Sequence, residues 1–87
     1  MSSAVDTREA LHEFLLEQFP LATEEVLAAD LSLVEHGVVD SLGVLGIVSF
    51  LEEAFGILVS DEEIVGENFE TLSALTRFVE SKREAPA

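Results

Sequence analysis

Apolar residues recur at helical spacing in three stretches of the chain, and capping and turn residues punctuate the intervals between them. In the first, Leu11, Phe14, Leu15 and the Gln18/Phe19 pair fall on one face. Asp6 is placed to cap this helix, with Glu9 three residues on in a capping-box arrangement. Pro20 disfavours helical geometry at Phe19 and closes the segment. The second stretch runs from Ser41 to Phe55, where Val44, Ile47, Val48, Leu51, Ala54 and Phe55 form a core stripe, and Gly56 supplies the stop. Leu42 and Leu45 lie off that stripe, either facing solvent or tucked under the preceding loop. The third opens after Thr71 as cap and shows Leu72, Leu75, Phe78 and Val79 on its apolar face, with Lys82 and Arg83 near a helix end that favours cations.

The connecting segments carry their own signals. Residues 21–39 form a long connection in which Val26, Leu27, Leu31, Leu33 and Val34 require burial, Ser32 and Glu35 can start a single turn, and Gly37 marks a reversal. Ser60 and Glu63 form a second capping box, predicting a short helix over Asp61–Val65 that Gly66 ends. Ile57-Leu58-Val59 is the one strand-like run, and it is too short to be counted. The pattern predicts an all-α four-helix bundle with three main helices, one short helix and a long first loop. Its body spans 6–83, with flexible ends at 1–5 and 84–87.

Composition narrows what such a bundle does. At 87 residues and 48% apolar content it is one small folded domain, without cysteine to supply a disulfide, a thiolate ligand or a thiol nucleophile. Eighteen acids against four bases give a net charge of −14, and the interval from Glu9 to Thr76 holds fifteen acids and no Lys or Arg. Such a surface repels nucleic acid and steers partners with basic faces toward it, although acids also simply keep small domains soluble. No apolar run approaches membrane-spanning length and no signal-peptide pattern opens the chain, so a soluble, cytoplasmic protein is expected; a monomer is expected as well.

Little in the chain carries chemistry. Ser41 puts one hydroxyl at the start of the second helix, where unpaired N–H groups and the helix dipole favour a phosphate. A serine hydrolase would need the leading Gly of a nucleophile elbow, which is Val39 here, and a base that only His12 or His36 could provide. His12 reads as a polar-face residue of the first helix, and His36 as a turn residue or one acting near Ser41. Two histidines and scattered acids show no metal-ligand spacing, and Asp61-Glu62-Glu63 complements a helix start. No catalytic residue and no metal site is assigned.

The whole pattern from about Asp6 to Arg83 resembles the acyl and peptidyl carrier proteins. The residues that carry the resemblance are Asp40-Ser41-Leu42 at a helix start after a long loop, Leu51-Glu52-Glu53-Ala54-Phe55-Gly56, the acidic turn after Ser60, and Phe69-Glu70-Thr71-Leu72. The resemblance implies that the protein is no enzyme. It implies that a phosphopantetheinyl transferase attaches 4′-phosphopantetheine to Ser41, and that partner enzymes then work on a thioester held there. Asp40 would cap the helix and help orient the transferase or its metal. Leu42, Leu45, Glu52, Glu53 and Glu62 would form the docking face. The implied partners are the transferase, an acyl- or aminoacyl-adenylating ligase and downstream acyl-processing enzymes.

The chain departs from the family pattern at Gly43 and Gly46, positions that commonly bear acids in fatty-acid carriers. Glycine in a helix interior costs about 1 kcal/mol relative to alanine. Either the helix is held by its neighbours, or smooth backbone beside Ser41 admits a partner or cargo closely. The thinner acidic strip points away from a fatty-acid synthase and toward stand-alone carriers of specialised pathways, including those that carry D-alanine or other amino acids. A fatty-acid synthase carrier and a carrier-like interaction module without the arm are the alternatives.

Overall fold

Helix α1 is built on Leu11 and Leu15, which are four residues apart and fully buried. The computed structural model describes residues 4–84, in which α1 spans Ala4–Gln18. Asp6 therefore lies inside the first turn, where its charge suits the dipole, and does not cap the helix from outside. Of the flexible ends expected, residues 1–3 and 85–87 lie outside the described residues, while Ala4 and Val5 begin α1. The helix ends as Pro20 requires, with Phe19 N–H donating to the Leu15 carbonyl at 3.0 Å and the chain then turning through Ala22.

The long connection contains a helix that the sequence pattern did not predict, α2 over Glu24–Ala28. Thr23 caps it by accepting the Val26 N–H at 3.2 Å, and it buries Leu27. Asp30 follows in the left-handed region at φ 57° and accepts the Ser73 N–H at 2.9 Å, so this loop residue serves a helix more than forty positions away. Leu33 N–H donates to the Glu70 carbonyl at 2.7 Å, a second tie to the same junction. Ser32 accepts the Glu35 N–H as expected, and Gly37 makes the reversal at φ 71°. Leu33 is fully buried, but Leu31 and Val34 are exposed, contrary to the expectation that both would be covered.

Helix α3 covers Ser41–Phe55, buries Ile47 and Leu51, and ends at Gly56 with φ 67°. Ala54, placed on the core stripe by periodicity, is exposed. Phe50 packs as well, stacking on Phe14 of α1 with ring centres 4.0 Å apart. Beyond Ile57 the acidic segment forms a 3₁₀ turn, Asp61–Glu63, shorter than the helix expected over Asp61–Val65. Gly66 does not end it; extended Val65 leads into α4, Gly66–Phe69, which buries Phe69.

Helix α5, Leu72–Glu84, receives the largest share of the core, with Leu72, Leu75, Phe78 and Val79 buried. Thr71 caps it through the Ala74 N–H at 3.0 Å. Its contact with α1 includes buried polar groups: Thr7 donates to Glu80, and Arg83 reaches the same threonine hydroxyl at 3.2 Å. Arg83 also lies 5.5 Å from the centre of the Phe55 ring. Among the described residues there are helices, turns and no strand, so the fold is the all-α bundle expected, with α1, α3 and α5 as its main members.

Candidate functional site

The approach to Ser41 is fixed from below. Val38 and Val39 are both buried, and both donate their N–H groups to the Leu33 carbonyl, at 2.8 and 3.1 Å. The chain then emerges at Asp40, whose extended backbone makes it the N-cap of α3 and whose Oδ1 accepts the Gly43 N–H at 2.8 Å. Ser41 is the first residue of this 15-residue helix and is exposed. Among the described residues no side chain hydrogen-bonds its hydroxyl. The first-turn N–H groups beside it have no intrahelical carbonyl to bond, which leaves partial positive charge where a phosphoester would sit.

The two glycines of α3 have different causes. A Cβ on Gly43 would come within 2.8 Å of the Phe19 ring and 3.2 Å of Val39, so this position is empty because α1 and the pre-helix segment pack against it. A Cβ on Gly46 would meet nothing within 4 Å. The first glycine thus answers to packing, and the second to no contact among the described residues.

Leu42 and Leu45 face solvent, 78% and 56% exposed, which resolves the choice left by periodicity. Glu53 and Glu62 are exposed as well. Glu52 is only half-buried and already engaged: its Oε2 accepts the Val59 N–H at 3.0 Å and pins the loop after α3. Ser41, Leu42, Leu45, Gly46 and Ser49 give α3 a neutral exposed face until Glu53 in the fourth turn.

Beside this face lies an open groove of about 330 Å³ that Ser41 itself helps to line. Its apolar walls come from Val44 and Leu45 of α3, Val34 of the long loop, and Ile64 and Val65 after the 3₁₀ turn. This explains why Val34 is not covered. Sequence periodicity does not reveal the groove, because its walls come from short pieces of three separate segments. The only available signal was the aliphatic pair Ile64-Val65 directly after an acidic turn.

Neither histidine forms a catalytic pair with Ser41. His12 Nε2 lies 3.1 Å from Glu24 Oε1, tying α1 to α2, and His36 Nδ1 lies 3.0 Å from the Ser32 carbonyl oxygen. Among the described residues no group of three or more His, Asp or Glu side chains is placed to hold a metal, and no helix is long and apolar enough to cross a membrane. An exposed hydroxyl on a capped helix start, with an apolar groove alongside and no base, is suited to being modified. It is not built to attack a substrate.

Comparison with known proteins agrees with this geometry. Residues 9–79 match the family described as "Phosphopantetheine attachment site". The acyl carrier proteins of Arthrobacter sp. (strain FB24) and Paenarthrobacter aurescens (strain TC1) are each 34% identical to this chain over 79 residues, covering 91% of it and 94% of the relative. The chain therefore belongs to the phosphopantetheine-binding acyl and peptidyl carrier proteins, which hold intermediates for other enzymes and are not catalysts themselves.

Proposed function

We propose that Ser41 receives the 4′-phosphopantetheine arm and that the domain carries acyl intermediates on it, in the cytoplasm, as a monomer serving a specialised biosynthetic pathway. The observation that carries this reading is the unpartnered, exposed Ser41 hydroxyl on the first turn of capped α3. In the loading step the Ser41 Oγ–phosphorus bond forms as the pyrophosphate bond of coenzyme A breaks, the hydroxyl proton leaves to base in the transferase, and adenosine 3′,5′-bisphosphate departs. The thiol at the arm's end supplies the thioester chemistry. Asp40 keeps the helix start in register during that step, and Leu42 and Leu45 offer the apolar contact on which a partner seats.

Two features bear on the cargo and partners. The groove walled by Val34, Val44, Leu45, Ile64 and Val65 suits a hydrocarbon chain better than a charged amino acid, which favours acyl over aminoacyl cargo. The exposed face of α3 carries no acid through its first three turns, which favours a specialised ligase and acyl-processing enzymes over the partners of a fatty-acid synthase. Glu53 and Glu62 complete the docking face at its margin.

Intact-mass measurement after incubation with coenzyme A and a broad-specificity transferase tests the assignment. One added arm on the wild type and none on Ser41→Ala is expected. A wild-type mass unchanged by several active transferases refutes the reading and leaves a carrier-like interaction module.

A further inference from the structure

The outer wall of the groove is attached to the domain in an unusual way. The 3₁₀ turn Asp61–Glu63 buries no residue, so apolar packing does not hold it. Polar contacts do. Lys82 of α5 places its Nζ 2.9 Å from both carboxylate oxygens of Glu63, and neither side chain is more than a third exposed. The same carboxylate accepts the Ser60 N–H at 3.0 Å, and the Glu63 carbonyl accepts from Asn68 Nδ2 at 2.8 Å. The next three residues, Ile64, Val65 and Gly66, all line the groove. Downstream, buried Phe69 anchors the chain. One end of the wall is thus fixed by the core and the other by polar contacts, of which the Glu63–Lys82 pair is the one that reaches α5, in a chain with four cations in total.

We infer that the Glu63–Lys82 pair is a latch that sets the position of the Ile64-Val65-Gly66 wall and thereby how well the groove shelters an acyl chain. The sheltering half of this inference rests on the acyl-carrier reading; the latch half does not. Packed segments open locally with free energies well below that of global unfolding when few apolar contacts hold them. Releasing Lys82 removes the principal tie between the turn and α5 and leaves α1, α3 and the α5 core intact. Glu63 and Lys82 act through the wall, so they are positioning residues.

Two measurements on Lys82→Met, Glu63→Gln and the conservative Lys82→Arg decide the matter. In the protein without its arm, amide exchange at Val65 and Gly66 is expected to accelerate about three- to tenfold in the first two variants, with Leu15 and Leu51 unchanged, and to return toward wild type in Lys82→Arg. Unchanged exchange, or equal acceleration at all four sites, overturns the latch. In protein loaded with octanoyl or acetyl thioesters, hydroxylamine cleavage of the octanoyl form is expected to speed up about threefold in Lys82→Met while the acetyl form is unaffected. Equal response of the two chains overturns the link from latch to shelter. If the wild type itself cleaves both at one rate, the acyl-groove reading fails, and the exchange result still decides on the latch.

Discussion

The two glycines of α3, three residues apart, allow one substitution to be tested with opposite outcomes within a single turn of helix. Gly46 is helical, interior and open, so Gly46→Ala gains helix propensity and meets no neighbour. The expected stabilisation is about 0.8–1 kcal/mol, which for a domain of this size raises Tm by about 4–8 °C. Gly43 is the third residue of the helix, where its N–H is held by Asp40, so alanine gains little there. Its Cβ would lie 2.8 Å from Phe19 Cε1 and 3.2 Å from Val39 Cγ1. Val39 is buried and stiff, and the Phe19 ring is restrained by edge contact with Phe14 at 6.1 Å. Overpacking of this kind costs about 1–3 kcal/mol, so Gly43→Ala lowers Tm where Gly46→Ala raises it. Thermal unfolding by circular dichroism, with urea midpoints as a second measure, reads both. Phe19→Leu, which lacks the offending Cε1, is expected to relieve part of the cost of Gly43→Ala in the double variant. Equal stabilisation by the two alanines, or no coupling between positions 19 and 43, would refute the packing explanation.

Other outcomes follow from the site and the loops. Asp40→Ala is expected to cost about 1 kcal/mol through loss of the α3 cap, whereas Asp40→Asn retains the cap, so any loss of loading by the transferase in Asp40→Asn isolates the role of the charge; urea unfolding and mass measurement separate the two. Glu52→Lys is expected to lower Tm because it removes the acceptor of the Val59 N–H, while Glu53→Lys, on an exposed site, leaves Tm within about 2 °C and weakens partner loading; the reverse order would move docking to Glu52. Glu63 is held below the ordinary glutamate value, first by the Ser60 N–H and then by Lys82, both of which favour its ionised form. A depressed carboxylate stabilises the fold above its unfolded-state value and loses that contribution as pH falls through the folded one. The gap in urea midpoint between wild type and Glu63→Gln is therefore expected to be constant near neutrality and to close below about pH 4.5; a constant gap throughout would show that the carboxylate is not the source.

The three long helices were legible because each spans enough turns for periodicity to appear, and Asp40-Ser41 was legible because a cap and an exposed hydroxyl are local properties of the chain. The short elements were less so. A five-residue helix such as α2 shows no two-turn repeat, and only Thr23 followed by Glu24 and Glu25 hinted at it. Gly66 reads by default as a stop, but extended Val65 turns it into the start of α4. The packing of Phe50 was not legible because its aromatic partner, Phe14, lies on another helix. Asp30 was unreadable as a cap because the N–H it accepts belongs to Ser73. The groove was hidden for the same reason, being assembled from Val34, Val44 and Ile64 only after folding.

The shared carbonyl of Leu33, which receives both valine amides ahead of Asp40, makes the ground beneath Ser41 rigid. A mooring that does not yield adds no slack to whatever is tied there. On the proposed function, travel between successive enzymes would then come from the attached group's own rotors and from tumbling of the whole particle, with little contribution from the segment that leads into α3.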